Sequence, residues 1–128
     1  MLLFIDSSDL EQAKLALVDQ KIVWHKFDNV NLSEKLLSEI KNFLRKQKLS
    51  LNQIKKLAIV VGPGGFSKIR TAVATANALG LALDLPTIPV KATNIPKDLK
   101  ALLSQKGQKQ IAPIYSQAPT ITMPKKRP

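Results

Sequence analysis

Leu57-Ala58-Ile59-Val60-Val61-Gly62-Pro63-Gly64-Gly65-Phe66-Ser67-Lys68-Ile69-Arg70 is the stretch on which the fold turns. Its first five residues are all apolar, the pattern of a central strand covered on both faces. Gly62-Pro63-Gly64-Gly65 breaks the run sharply, and a helix is predicted from about Phe66 to Leu83, stopped by Asp84-Leu85-Pro86. Strand, glycine-rich turn and helix in this order form a layout in which backbone N–H groups can cradle an anion. The spacing is not that of a P-loop. Counting from Gly62, Ser67 stands where the second glycine is required, and Lys68 is followed by Ile69 instead of Ser or Thr. Glycines at this point serve equally well for a tight strand-to-helix turn with no ligand at all.

Towards the N-terminus, Leu2-Leu3-Phe4-Ile5 reads as a short buried strand ending in the turn cluster Asp6-Ser7-Ser8-Asp9. Two further strands are predicted at 13–19 and 21–28, with Gln20-Lys21 between them, although helical propensity competes over 10–18. Asn31 with Glu34 three residues later resembles a capping box. Leu32, Leu36, Leu37, Ile40, Phe43 and Leu44 then recur at helical spacing on one stripe, opposite Lys35, Ser38, Lys41, Asn42 and Arg45. Beyond the second helix the reading is a strand at 87–91, a short helix near 97–105 between Pro96 and Gly107, and a final strand at 111–115. Strands followed by alternating helix and strand predict an α/β fold: a mixed sheet with helices packed on it.

The second helix carries the main clue to function. At 100° per residue, Ile69, Ala72, Val73, Ala76, Leu79, Gly80 and Leu83 share one side, suited to packing on the sheet. The opposite side holds Thr71, Ala74, Ala78, Leu81 and Ala82, interrupted by Lys68, Arg70, Asn77 and Asp84. A helix that is apolar nearly all round is normally buried on both sides. Small residues on the outer side would let a helix of another chain approach closely. The expected partner-binding residues are therefore Arg70, Thr71, Ala74, Ala78, Leu81 and Ala82, with Leu37 and Leu44 of the first helix extending the patch. Alanines on the solvent side of a good helix former would need no partner, and this plainer explanation competes.

The chain has 128 residues, in the size range of a single domain, and its 45% hydrophobic and 5% aromatic residues imply an aliphatic core. It has no cysteine, which excludes disulfides and thiolate metal sites. No apolar run approaches the ~18 residues of a membrane span, and the early Asp6 and Asp9 do not fit a signal peptide. A cytoplasmic protein without membrane contact is expected. Twenty Lys+Arg against nine Asp+Glu give a formal charge of +11, which favours polyanions such as tRNA or an acidic partner. One Trp and one Tyr, however, provide no series of interleaved aromatics for stacking bases. His25 stands alone, so no metal site is expected. Asp6 ends the first strand, where ribonuclease-H-like nucleases place a Mg²⁺ ligand. The central strand ends Val60-Val61-Gly62-Pro63 without an acid, and Glu34 and Glu39 fall away from the apolar stripe, so the further carboxylates such an enzyme needs are missing.

Gly62-Pro63-Gly64-Gly65-Phe66-Ser67-Lys68-Ile69-Arg70, then Val73-Ala74-Thr75-Ala76, then Leu85-Pro86 with Ile88-Pro89-Val90, resembles the TsaB (YeaZ) family. Its members read G-P-G-S-F-T-G-L-R, then V-A-T-A-K-G-L-A, then a strand after I-P. Leu3-Phe4-Ile5-Asp6-Ser7 looks like the family's opening I-L-A-I-D-T, Ser33-Glu34-Lys35-Leu36 like its H-S-E-x-L, and Pro113-Ile114-Tyr115 like its P-x-Y-L-R. Gly62, Pro63, Gly64 and Phe66 are the matching positions of the family's loop, whereas Gly65, Ser67 and Lys68 depart from it. The related TsaD carries an H-x-x-x-H metal motif after the following strand. Lys91-Ala92-Thr93-Asn94-Ile95 has no histidine there, which favours TsaB.

The resemblance implies a single lobe of the actin-like ATPase (ribonuclease-H-like) fold. It divides the chain into a TsaB-like N-terminal lobe at 1–91, a short linker and helix at 92–110 in place of the second lobe, and a C-terminal strand and basic tail at 111–128. Because the superfamily's nucleotide cleft lies between two lobes, no ATPase activity and no cofactor are expected. The implied function is that of a non-catalytic scaffold supporting TsaD in threonylcarbamoyladenosine modification of tRNA. The implied contact is with TsaD, or with a second copy of the chain, through the two lobe helices. TsaE is the usual third member, and tRNA contact is expected only within the complex. A basic RNA-binding module and a ribonuclease-H-like nuclease are the alternatives.

Overall fold

The computed structural model describes residues 1–63 and 66–112. Its strands are β1 (Leu2–Asp6), β2 (Gln12–Val18), β3 (Ile22–Asp28), β4 (Lys56–Gly62) and β5 (Thr87–Lys91). They form one sheet in the order β3-β2-β1-β4-β5. β1 pairs antiparallel with β2, and β2 with β3, whereas β4 runs parallel to both β1 and β5. Two helices, α1 (Leu32–Lys46) and α2 (Phe66–Leu83), are the right length for the parallel crossovers that carry the chain between strands. This is the mixed α/β sheet expected, with the actin-like (ribonuclease-H-like) order of elements.

Period-two alternation divides the strand side chains between two layers. Leu3, Ile5, Leu15, Leu17, Leu57 and Ile59 face α1 and α2 and meet Leu36, Ile40, Phe43, Ile69, Ala72 and Ala76. Leu2, Phe4, Ala16, Val18, Ala58, Val60, Ile88 and Val90 face the other way. That back layer is closed by Leu99 and Leu102, each contributing about 1.5–3 kcal/mol by leaving water. The segment carrying them is a 3-10 helix, Leu99–Ser104, inside the short helix predicted near 97–105. Residues three apart eclipse one another in a 3-10 turn, which aims both leucines at the sheet.

The helix ends were only partly legible. Asn31 is left-handed, at φ 54°, and makes no side-chain cap bond, so the predicted capping box does not form. A capping side chain needs an extended backbone beneath it; here the carbonyl of Asn31 takes the Glu34 amide instead, at 3.0 Å. Both C-termini close through a left-handed residue that is not glycine. At α1 this is Lys48 (φ 60°), and Leu49 N–H donates to the Leu44 carbonyl at 2.9 Å. At α2 it is Asp84 (φ 56°), with Leu85 N–H on the Gly80 carbonyl at 2.9 Å.

After the back layer the chain crosses the end of β5. Gln108 exchanges two backbone hydrogen bonds with Thr87, of 2.7 and 2.8 Å. Gly107 makes that crossing possible, since a Cβ there would stand 2.6 Å from the Thr87 nitrogen and 2.7 Å from Pro86. Ile111 is not in a strand; the Asn77 amide of α2 brackets its backbone with bonds of 2.9 and 3.1 Å. The rest of the predicted strand at 111–115, from Pro113 onward, lies outside the described residues, as does the basic tail. Among the described residues no helix is long and apolar enough to cross a membrane.

Candidate functional site

The inner side of α2 packs as its spacing predicts: Ile69, Ala72, Val73, Ala76, Leu79 and Gly80 are buried and Leu83 is half-buried. On the outer side Arg70, Ala74, Ala78, Leu81 and Ala82 are exposed and Thr71 is half-buried. Leu81 is 75% exposed, a large apolar side chain in water in the last turn of α2, beside Ala78 and Ala82. Leu37 of α1 is 43% exposed. Leu44, predicted to extend the patch, does not belong to it. It is only 2% exposed and packs in the core beneath α1, because its place on the helix shares the side of Ile40 and Phe43.

The glycine-rich turn is entered through Gly62, whose φ of 114° is open to glycine and strained for any side chain. A cis peptide joins it to Pro63. Gly64 and Gly65 lie outside the described residues, and Phe66 opens α2.

Lys68, the departure from the family's glycine, ties three segments together. Its ammonium donates to the Leu10 carbonyl at 3.0 Å and to Asn29 Oδ1 at 2.9 Å. Asn29 is buried, and its Nδ2 donates to the Asp9 carbonyl at 3.0 Å. Ser7 Oγ in turn donates to the Lys68 carbonyl at 3.1 Å. The first turn of α2 is thus bound to the β1–β2 turn and to the start of α1. Spacing along the chain could not reveal this, because the partners are distant in sequence; the only hint was a long cation where the family has none.

The carboxylates of the β1–β2 turn are occupied locally. Asp6 is buried and accepts from Ser8 N–H at 2.9 Å and Ser8 Oγ at 2.6 Å. Asp9 accepts from the Glu11 and Gln12 amides, which with the Glu11 bond foremost hold its pKa below the usual carboxylate value. Glu39 reaches His25 Nε2 at 2.8 Å, and the His25 ring stacks between Phe27 and Phe43. Among the described residues no three of His, Cys, Asp or Glu converge to hold a metal ion. The geometry offers an exposed, largely apolar face on α2 and, among the described residues, no assembled metal-ligand cluster.

The family model described as "TsaD: tRNA N6-adenosine threonylcarbamoyltransferase" matches residues 29–96, more than half of the chain. The chain belongs to that family. Its similarity within the family is to TsaB (YeaZ). It is 43% identical over 53 residues to the tRNA threonylcarbamoyladenosine biosynthesis protein TsaB of Buchnera aphidicola subsp. Baizongia pistaciae, covering 41% of this chain and 24% of that protein. To the TsaB of Buchnera aphidicola subsp. Schizaphis graminum it is 28% identical over 97 residues, covering 74% of this chain and 46% of that one. The solved structure of YeaZ from Pseudomonas aeruginosa superposes with a TM-score of 0.64 at 26% identity, over 70% of this chain and 42% of YeaZ. The chain therefore spans less than half the length of these TsaB relatives. The region matched by the family model, 29–96, includes the glycine-rich turn and all of α2.

Proposed function

We propose that the chain is a non-catalytic scaffold subunit in threonylcarbamoyladenosine modification of tRNA, and that it supports a TsaD-type enzyme through the outer face of α2. The observation that carries this reading is the face itself: Ala74, Ala78, Leu81 and Ala82 stand in solvent on a helix whose other side is already packed. Alanines there allow close backbone approach, and Leu81 provides an apolar anchor of the kind that contributes most when a contact excludes water. Arg70, Thr71 and Leu37 border the same surface. The names of the TsaB relatives support the pathway, and the TsaD family model supports the choice of partner.

In this reading residues 1–91 act as the N-terminal lobe, 92–110 close its back, and 111–128 follow as a basic tail. A second copy of the chain is the competing occupant of the α2 face, TsaE is a further member of the assembly, and tRNA is met within it. The site of action is the cytoplasm. Light scattering of the purified chain, alone and mixed with TsaD from the same source, tests the proposal. A complex with TsaD is expected; a chain that stays monomeric and ignores TsaD overturns it.

A further inference from the structure

A second surface lies on the back of the sheet, away from α2. β2 and β3 place Lys14 opposite Lys26 and Ala16 opposite Trp24, so both lysines and the tryptophan share one face. They line a shallow cleft of about 290 Å³, at the small end of the roughly 300–1,000 Å³ of ligand pockets. The Leu99–Ser104 turn that closes the back layer reaches β2; one strand further out, Trp24 is 47% exposed. Its indole makes an edge-to-face contact with buried Phe4, at 6.1 Å between centroids and 82° between planes.

Neither ammonium group is held in an ion pair. Among the described residues the ion pairs are His25–Glu39 and Lys35–Asp28, and neither includes Lys14 or Lys26. Three carboxylates lie near in register or space, and each is engaged elsewhere. Asp6, opposite Lys14 on β1, is bound by Ser8. Asp9, which feels the charge of Lys14, is bound by the Glu11 and Gln12 amides. Asp28, two residues beyond Lys26, takes the Lys35 ammonium at 2.6 Å.

An exposed aromatic side chain beside a cross-strand pair of unpaired cations has the chemistry of a base-stacking platform with phosphate contacts at one side. We infer that Lys14, Trp24 and Lys26 bind an unpaired stretch of nucleic acid: one base stacks on Trp24 and the phosphates on one side of it meet the lysine pair. The formal charge of +11 supplies the long-range attraction. The inference does not rest on the α2 reading, and the two surfaces can be occupied together.

Trp24 is the sole tryptophan, so its fluorescence reports on this cleft directly. The full chain is titrated with a short oligouridylate, with the same strand annealed into a duplex, and with polyglutamate of matched charge. Quenching by the single strand, weaker with the duplex and absent with polyglutamate, is expected. By anisotropy of labelled oligouridylate, Trp24→Leu should weaken binding about tenfold or more. Lys14→Gln with Lys26→Gln should leave the circular dichroism spectrum unchanged and reduce the slope of log affinity against log salt by about 1.4. Equal response to single strand and duplex, equal response to polyglutamate, or an unchanged salt slope in the folded double lysine variant would each overturn the inference.

Discussion

α1 and α2 lie side by side on the same face of the sheet, and their inner surfaces are built alike, yet their outer surfaces differ in kind. α1 turns Ser33, Glu34, Ser38, Lys41, Asn42 and Arg45 to water, with Leu37 the lone exception. α2 turns out Ser67 and Arg70 near its start and beyond them only three alanines and a leucine. α1 has the composition of a helix that ends at solvent, and α2 that of a helix with more to bury. Two helices in one layer thus differ in what they leave exposed, and under the proposed function α1 finishes the domain while α2 continues it into a partner.

The largest effect should come from charging the outer side of α2. Ala74→Glu with Ala78→Glu is expected to abolish association with TsaD, because a carboxylate buried without a partner costs several kcal/mol. Thermal unfolding of the variant alone should change little, since both positions are exposed. Lys41→Glu with Asn42→Glu on α1 is the matched control, and light scattering should find its association intact. Loss in both pairs, or in neither, would erase the distinction between the helices.

On the inner side the helices should become equivalent. Ile40→Ala in α1 is expected to cost about 2–5 kcal/mol by leaving a cavity, and Ala76→Leu in α2 about 1–3 kcal/mol by overpacking. Urea midpoints measure both. At the C-termini, Lys48→Gly and Asp84→Gly should each stabilise by about 0.5–1 kcal/mol, because both positions are left-handed and glycine adopts that backbone without strain. The smallest effect concerns α1 alone. The Lys35 ammonium bonded to Asp28 holds that carboxyl below its ordinary pKa, with help from the Val30 amide. A depressed carboxylate contributes stability that is present above its unfolded pKa and lost as pH falls through the folded one. Lys35→Met should therefore slightly flatten the acid limb of stability, measured as urea midpoints between about pH 5 and pH 2.

What could be read from the residues follows from where the determining forces lie. β4, α2 and β5 were legible because an unbroken apolar run, a glycine turn and a two-sided helix are local patterns. β2 was ambiguous, since Gln12-Ala13-Lys14-Leu15-Ala16-Leu17 favours a helix and only its ladders to β1 and β3 make it a strand. Asn31 carried the right side chain for a cap and the wrong backbone. Leu37 and Leu44 sat on one predicted stripe, but packing separated them, one into water and one into the core. Of the candidate site, the α2 face was readable from spacing. The Lys68 clamp and the Lys14–Trp24–Lys26 cleft were not, because each gathers residues across strands or across the domain.

The place of β1 has a consequence for how the chain reaches this structure. Leu2 faces Val18 on one side and Lys56 on the other, so the central strand has one neighbour close in sequence and one far away. The hairpin with β2 closes quickly, while the parallel ladder must wait for α1 and β4 and for the larger loop entropy between them. During that interval Leu2-Leu3-Phe4-Ile5 presents an unpaired apolar edge, the kind of segment that recruits strands from other chains. The folding of β4 is then the step that separates productive collapse from aggregation. Slowing synthesis ahead of Lys56 should lower the soluble yield more than slowing it after Lys91.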